Sequence, residues 1–290
     1  MWKIWARFPS AASLVVYAGT GWLQPLIVDY LRINDALPKV ESDWPVLLPM
    51  LCNTLGMASL FFLHHPVCRT LSQQKKMSFR WSELPEGSHT RLVILTIIDF
   101  ASGAVLMIGQ LRISSNLFVV LYSSCTCWTA LLSRFTLGKR LATMQWVGIF
   151  CVCAGLAGDA LVSMALTEPG VSERGEVGAS SFGMYAVLAG SLLHSLMFCM
   201  CESLLTASIP ASVVCSTMGS GESIILALYH VYLLGPGSSS RFEAAGRSDC
   251  YLLLTYALLV VVCALHAAAF FSILGSMGAT SSGVLKGLQV

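Results

Sequence analysis

Eight stretches of this chain are long, continuous and almost free of charge, and a soluble fold cannot cover so much apolar surface with so few charges. They occupy residues 11–31, 44–63, 92–111, 117–135, 144–166, 182–205, 211–234 and 251–274. Each is about 20 residues long, the length a helix needs to cross a hydrocarbon core about 30 Å thick. The runs are continuous rather than alternating, which argues against a β-barrel. Composition agrees: charged residues are 11% of the 290 and hydrophobic ones 56%, where an ordinary soluble domain carries roughly 25% charge. Disorder and a collagen-like fold are excluded by the same figures. A formal net charge of +2 gives no footprint for a nucleic acid. The expected class is an all-α polytopic membrane protein, with the lipid bilayer as its first partner.

A ninth apolar segment begins near Ala279 and meets the end of the chain at Val290. Twelve residues of helix reach about 18 Å, short of a crossing. The chain therefore reads as C-terminally truncated, or its last helix as partly inserted. Loop charges set the orientation. With a cytosolic N-terminus, ten Lys and Arg fall on the cytosolic side and six on the other, and residues 69–80 carry the clearest cluster. The first segment follows a basic stretch containing Lys3 and Arg7. Its length, and the lack of a clear small-x-small site after it, favour a retained helix over a cleaved signal peptide.

The eleven cysteines lie mostly inside the apolar segments, and three pairs are spaced Cys-x-Cys. On a helix, positions i and i+2 point about 200° apart and cannot share a metal. These cysteines read as small apolar side chains at helix contacts. No metal site and no cofactor is expected. His194, His230 and His266 fall within or near apolar segments, and hydrogen bonding to a neighbouring helix is the plainer reading of each, with a proton relay as the alternative.

Charge inside the bilayer is costly, so the few ionisable residues there are informative. Asp29, Asp159 and Glu202 lie within reach of segment ends, where they can snorkel. Asp99 lies a third of the way into the third segment, and Glu222 sits near the centre of the seventh, within Gly-Ser-Gly-Glu-Ser. Lys286 follows Thr280, Ser281, Ser282 and Gly283, a pattern that suits a polar cavity wall better than a lipid face. The fourth segment opens in the same way, with Ser114, Ser115 and Asn116. In both places an apolar helix ends, a very short turn follows, and a Ser- or Thr-rich start opens the next helix. Five segments separate the equivalent positions. An odd period reverses the topology of the second copy, which is the inverted repeat of many secondary transporters. Residues 1–166 are then a first repeat of five helices, and residues 181–290 an incomplete second one.

These residues resemble the drug/metabolite transporter superfamily, and more narrowly the solute carrier 35, nucleotide-sugar-transporter-like family. The likeness rests on Thr20-Gly21 with Gln24, on the hairpin from Asp99 to Tyr122, on Gly138-Lys139-Arg140-Leu141 followed by Gln145-Trp146-Val147-Gly148, and on Val284-Leu285-Lys286-Gly287. Glu202 and Glu222 are similar to acidic positions of a chloroquine-resistance-transporter-like branch. The resemblance implies ten helices in two inverted five-helix repeats, both termini in the cytosol, and residence in the Golgi or another endomembrane. Most of helix nine and all of helix ten of that pattern are missing here. It also implies alternating-access antiport of a nucleotide sugar, exchanged for a nucleoside monophosphate. Lys286 would meet the phosphates as a point charge, and Tyr122 would stack on a base. Asn116, Gln110 and Ser281 would hydrogen-bond sugar or base edges, with Gln24 also in the site. Asp99 and Glu222 would act in gating or proton coupling. A homodimer is left open.

Two other readings stand beside the transporter. A non-transporting scaffold or inactive fragment would fit a truncated chain. An intramembrane hydrolase pairing Ser281 or Ser223 with His266 or His194 lacks any spacing that fixes a nucleophile, so no enzymatic activity is expected.

Overall fold

The computed structural model describes residues 11–33, 47–63, 84, 86–110, 112–113, 115–140, 142–166, 181–207, 209–233 and 249–288. Among them every regular element is an α-helix: α1 (Ala11–Ile33), α2 (Leu48–Leu63), α3 (Ser88–Gln110), α4 (Ser115–Ser123), α5 (Cys125–Thr136), α6 (Thr143–Leu166), α7 (Ser181–Thr206), α8 (Ala211–Leu233), α9 (Asp249–Met277) and α10 (Ala279–Leu288). Five of these, α1, α3, α7, α8 and α9, are long and apolar enough to cross a membrane. Among the described residues the chain is all-helical, and these five helices make it an integral membrane protein.

Helix boundaries follow local chemistry. Two prolines, which have no N–H to lose, sit at helix starts, while Pro25 lies inside α1. Pro49 lies in the first turn of α2, and the Pro210 carbonyl accepts from Val213 N at 3.0 Å and Val214 N at 3.1 Å as α8 begins. Gly138 and Gly278 end α5 and α9 with positive φ, +63° and +82°, a conformation that costs other residues steric strain. The turn between α9 and α10 is a single residue, Gly278. The apolar stretch 117–135, continuous in sequence, is divided at Ser124. There the amide of Ser124 bonds Leu121 O at 3.1 Å and Cys127 N bonds Ser124 O at 2.9 Å, both i→i+3 contacts that tighten the turn. One cysteine departs from the packing role expected of it: Cys127 on α5 is disulfide-bonded.

The chain divides into two compact units, interleaved in sequence. The first comprises Met1–Thr96 and Leu204–Ser276, the second Ile97–Ser203 and Met277–Val290. The division falls within α3 and α7 and one residue before the end of α9.

In the first unit α2 packs closely on both α8 and α9. Lipid supplies no hydrophobic drive between helices, so close backbone approach through small residues takes its place. A Cβ at Gly219 on α8 would stand 2.5 Å from Ala58 N and 2.7 Å from Thr54 O. A Cβ at Gly56 on α2 would stand 2.7 Å from Ala264 N and 2.8 Å from Val260 O of α9. Beside the first contact, Ser223 donates to Thr54 Oγ1 at 3.0 Å. Ile27, Leu31, Cys52, Leu259, Val262 and Cys263 fill the core of this unit.

In the second unit, Leu106, Ile113, Leu117, Tyr122 and Val187 make the apolar core. Glycines again admit neighbours: a Cβ at Gly190 on α7 would be 2.7 Å from Leu106 Cγ, and one at Gly109 on α3 would be 2.6 Å from Val187 Cγ2. A seam of hydroxyls joins α5, α7 and α10. Thr126 donates to Gly283 O at 3.0 Å, Thr280 to Ser133 Oγ at 3.2 Å, and Ser195 to Cys125 O at 3.0 Å. The Ser195 bond supplies a donor to the carbonyl next to the Ser124 division.

Candidate functional site

The second unit gathers ionisable side chains that the sequence places far apart. Asp99 on α3 is buried, at 9% exposure. Its Oδ1 lies 3.9 Å from Nδ1 of His194 on α7. Ser102, one turn beyond Asp99, donates to the Asp99 carbonyl at 2.9 Å, and its Oγ lies 3.3 Å from the same Nδ1. With the hydroxyl proton committed to a carbonyl, Ser102 faces the imidazole with lone pairs, and Nδ1 is the donor. Aromatic rings lie beside the imidazole. Tyr122 lies 5.9 Å from the His194 ring, Phe198 meets it edge-on at 4.7 Å, and Phe118 stacks on Tyr122 at 5.6 Å.

This arrangement does not make a nucleophile. A serine–histidine–carboxylate relay needs the hydroxyl and the carboxylate on opposite ring nitrogens. Ser102 and Asp99 both approach Nδ1. Of the pairings weighed from sequence, Ser223 is bonded to Thr54, and His266 is bonded elsewhere, as follows.

In the first unit, α1 and α9 build an aromatic and hydroxyl cluster. Thr20 donates to Val16 O at 2.6 Å and stands 3.0 Å from Nδ1 of His266. The same reasoning makes this Nδ1 the donor. The His266 ring stacks on Tyr17 at 4.7 Å, and Tyr17 stacks on Phe270 at 6.0 Å. Gln24 is one turn beyond Thr20 on the same face of α1. Its side-chain nitrogen is buried and makes no hydrogen bond among the described residues. Glu222 on α8 is almost fully buried, at 2% exposure.

A third constellation ties down α10. Glu202, which the sequence places near a segment end and within reach of the headgroups, is 7% exposed. Its Oε2 accepts the Ala279 N–H at 2.9 Å, capping the first turn of α10. Its Oε1 is ion-paired with Lys139. Gly138 makes the pairing possible, since its left-handed backbone turns the chain out of α5 and sets Lys139 beside α7. A Cβ at Gly278 would crowd Glu202 Oε1 at 2.6 Å and Lys139 Nζ at 2.9 Å, and the positive φ there already favours glycine.

The residues expected at a substrate site divide accordingly. Asp99 and Tyr122 meet around His194. Gln110 is half-buried at the end of α3, and Ser281 is half-buried on α10. The backbones of Asn116 and Lys286 are helical, but their side chains lie outside the described residues. Sequence reasoning weighed His194 only as a proton relay or a hydrolase partner and Glu202 as an acidic position; it did not single out Ser102, Tyr17 or the joining of Glu202 to Lys139 and Ala279. Spacing along one helix carries no record of them, because each acts through a partner on another helix.

Fold and site together define a helical membrane protein with acid–base and hydroxyl groups buried among its apolar helices. The chain matches no protein-family model and no curated protein.

Proposed function

We propose that this protein is a secondary carrier of the drug/metabolite transporter type. It moves a nucleotide sugar or a related small organic solute by alternating access, by antiport, in the Golgi or another endomembrane, with its N-terminus in the cytosol. The observation that carries the reading is the Asp99–His194 pair. An intramembrane carboxylate is costly and earns its place by work on a solute or an ion. The hydroxyl seam of α5, α7 and α10 adds support, as do the two short turns, α3 to α4 and α9 to α10. In this reading residues 1–166 and 181–290 derive from the two inverted repeats, and Lys286 meets the anionic part of the solute.

Exchange of labelled nucleotide sugar into liposomes loaded with nucleoside monophosphate tests the assignment of Lys286. Loss of one charge-assisted contact is worth about 1.5–3 kcal/mol, so Lys286→Ala is expected to lower exchange by about tenfold or more. Lys286→Arg is expected to retain part of it. Equal exchange by Lys286→Ala and wild type removes Lys286 from the site.

A further inference from the structure

We propose that Asp99 and His194 act as a single proton-binding unit, holding one proton between them and releasing it as the coupling ion of the transport cycle. The coupling role rests on the carrier reading above, while proton binding by the pair stands on geometry alone. Oδ1 and Nδ1 are 3.9 Å apart, too far for a hydrogen bond and close enough for an ion pair. Both groups are on membrane helices, Asp99 is buried, and Tyr122 and Phe198 set ring carbon beside the His194 imidazole. Such surroundings penalise net charge. Counted by itself, the pair carries one negative charge when both groups are deprotonated and one positive charge when both are protonated. With one proton bound the pair is neutral, as imidazolium beside carboxylate.

Protonation of the imidazole beside the carboxylate forms one N–H bond and breaks none in the protein. Release returns the proton to water.

The titratable neighbours on the packed helices can be named. Tyr122 faces the imidazole from α4. The thiol of Cys125 on α5 is bonded to Ser195, and Cys199 on α7 is bonded to Ser133. The Lys139–Glu202 ion pair is two turns further along α7, about 12 Å by helix rise. Arg112 lies over Phe182 near the start of the same helix. Among the described residues, Asp99 is a carboxylate within ion-pair distance of the His194 imidazole.

The proposal is tested by counting protons released from the purified protein in detergent as pH rises from about 6 to about 9. Wild type is expected to release about one proton per chain more than Asp99→Asn, His194→Gln or the double variant, and those three are expected to agree with one another. Asp99→Glu is expected to restore the release. A His194 that titrates identically in wild type and in Asp99→Asn overturns the pair, as does equal release by wild type and all variants. Wild type alone decides the matter if the variants do not fold. Its infrared difference spectrum is expected to show an imidazole band and an aspartate carboxylate band changing in the same pH step, and changes at separate steps overturn the proposal. Liposome exchange under an imposed pH gradient then tests coupling: a gradient should accelerate exchange in wild type and not in Asp99→Asn. No exchange of any solute refutes the carrier reading and the coupling role together, while the proton count still decides whether the pair binds a proton.

Discussion

Gly219→Val is expected to leave little folded protein. The position lies where α8 crosses α2, and the first atom added has nowhere to go. A Cβ would be 2.5 Å from both Ala58 N and Met57 Cβ, and 2.7 Å from Thr54 O. Most of these are backbone atoms, which cannot rotate away, so relief requires the two helices to separate. Inserting one methylene into a packed core costs about 1–3 kcal/mol, and valine adds three carbons. Separation also breaks the Ser223–Thr54 hydrogen bond. Against a total stability of about 5–15 kcal/mol, the variant should show a sharply lowered unfolding temperature in detergent and a largely aggregated elution profile. Gly19→Val is the control. Gly19 has nothing within 4 Å of a built Cβ, and this variant should resemble wild type.

The second large effect is expected at the latch. Glu202 caps α10 through Ala279 N, and its other oxygen meets Lys139. Glu202→Lys removes the acceptor, sets two ammonium groups against each other, and adds positive charge at the positive end of a helix. Breaking a buried ion pair costs about 3–5 kcal/mol. The upper part of that range does not apply, because the Lys139 side chain is 38% exposed and solvent screens it. The cost falls on α10, whose contacts to α5 run through Thr126, Thr129 and Ser133. Amide hydrogen exchange over residues 279–288 should therefore rise by at least tenfold in Glu202→Lys. Glu202→Gln keeps an acceptor for Ala279 N and should show a smaller increase. Unchanged protection in Glu202→Lys would mean that α10 is held by its hydroxyl contacts alone.

The elements of this fold were legible in sequence because membrane solvation imposes one rule: a long apolar run must be a helix to satisfy its own backbone. Each of the eight runs contains helix, and the short turns before α4 and α10 fall where Ser- and Thr-rich starts suggested them. The division at Ser124 was not legible. Residues 117–135 are uniformly apolar enough to read as one span, and the tightening depends on i→i+3 bonds. Nor was the partner of Asp99. In a chain surrounded by lipid, apolar side chains line both the buried and the exposed faces of a helix, so periodicity does not reveal which face turns inward. Asp99 stood out because of its charge, but His194 is 95 positions away, and only folding brings the two together. Glu202 shows the same limit. Its place near a segment end suggested headgroups, yet the left-handed turn at Gly138 delivers Lys139 to it and Gly278 leaves room for both.

The central claim is that the protein carries solute across a membrane in exchange for another. Counterflow tests it most directly. Wild-type protein is reconstituted into liposomes loaded with unlabelled nucleoside monophosphate, and uptake of labelled nucleotide sugars is followed against empty-loaded and protein-free vesicles. The account predicts that at least one nucleotide sugar accumulates transiently, and only when a nucleotide is trapped inside. Uptake that is the same in all three kinds of vesicle, for every nucleotide sugar tried, would contradict it.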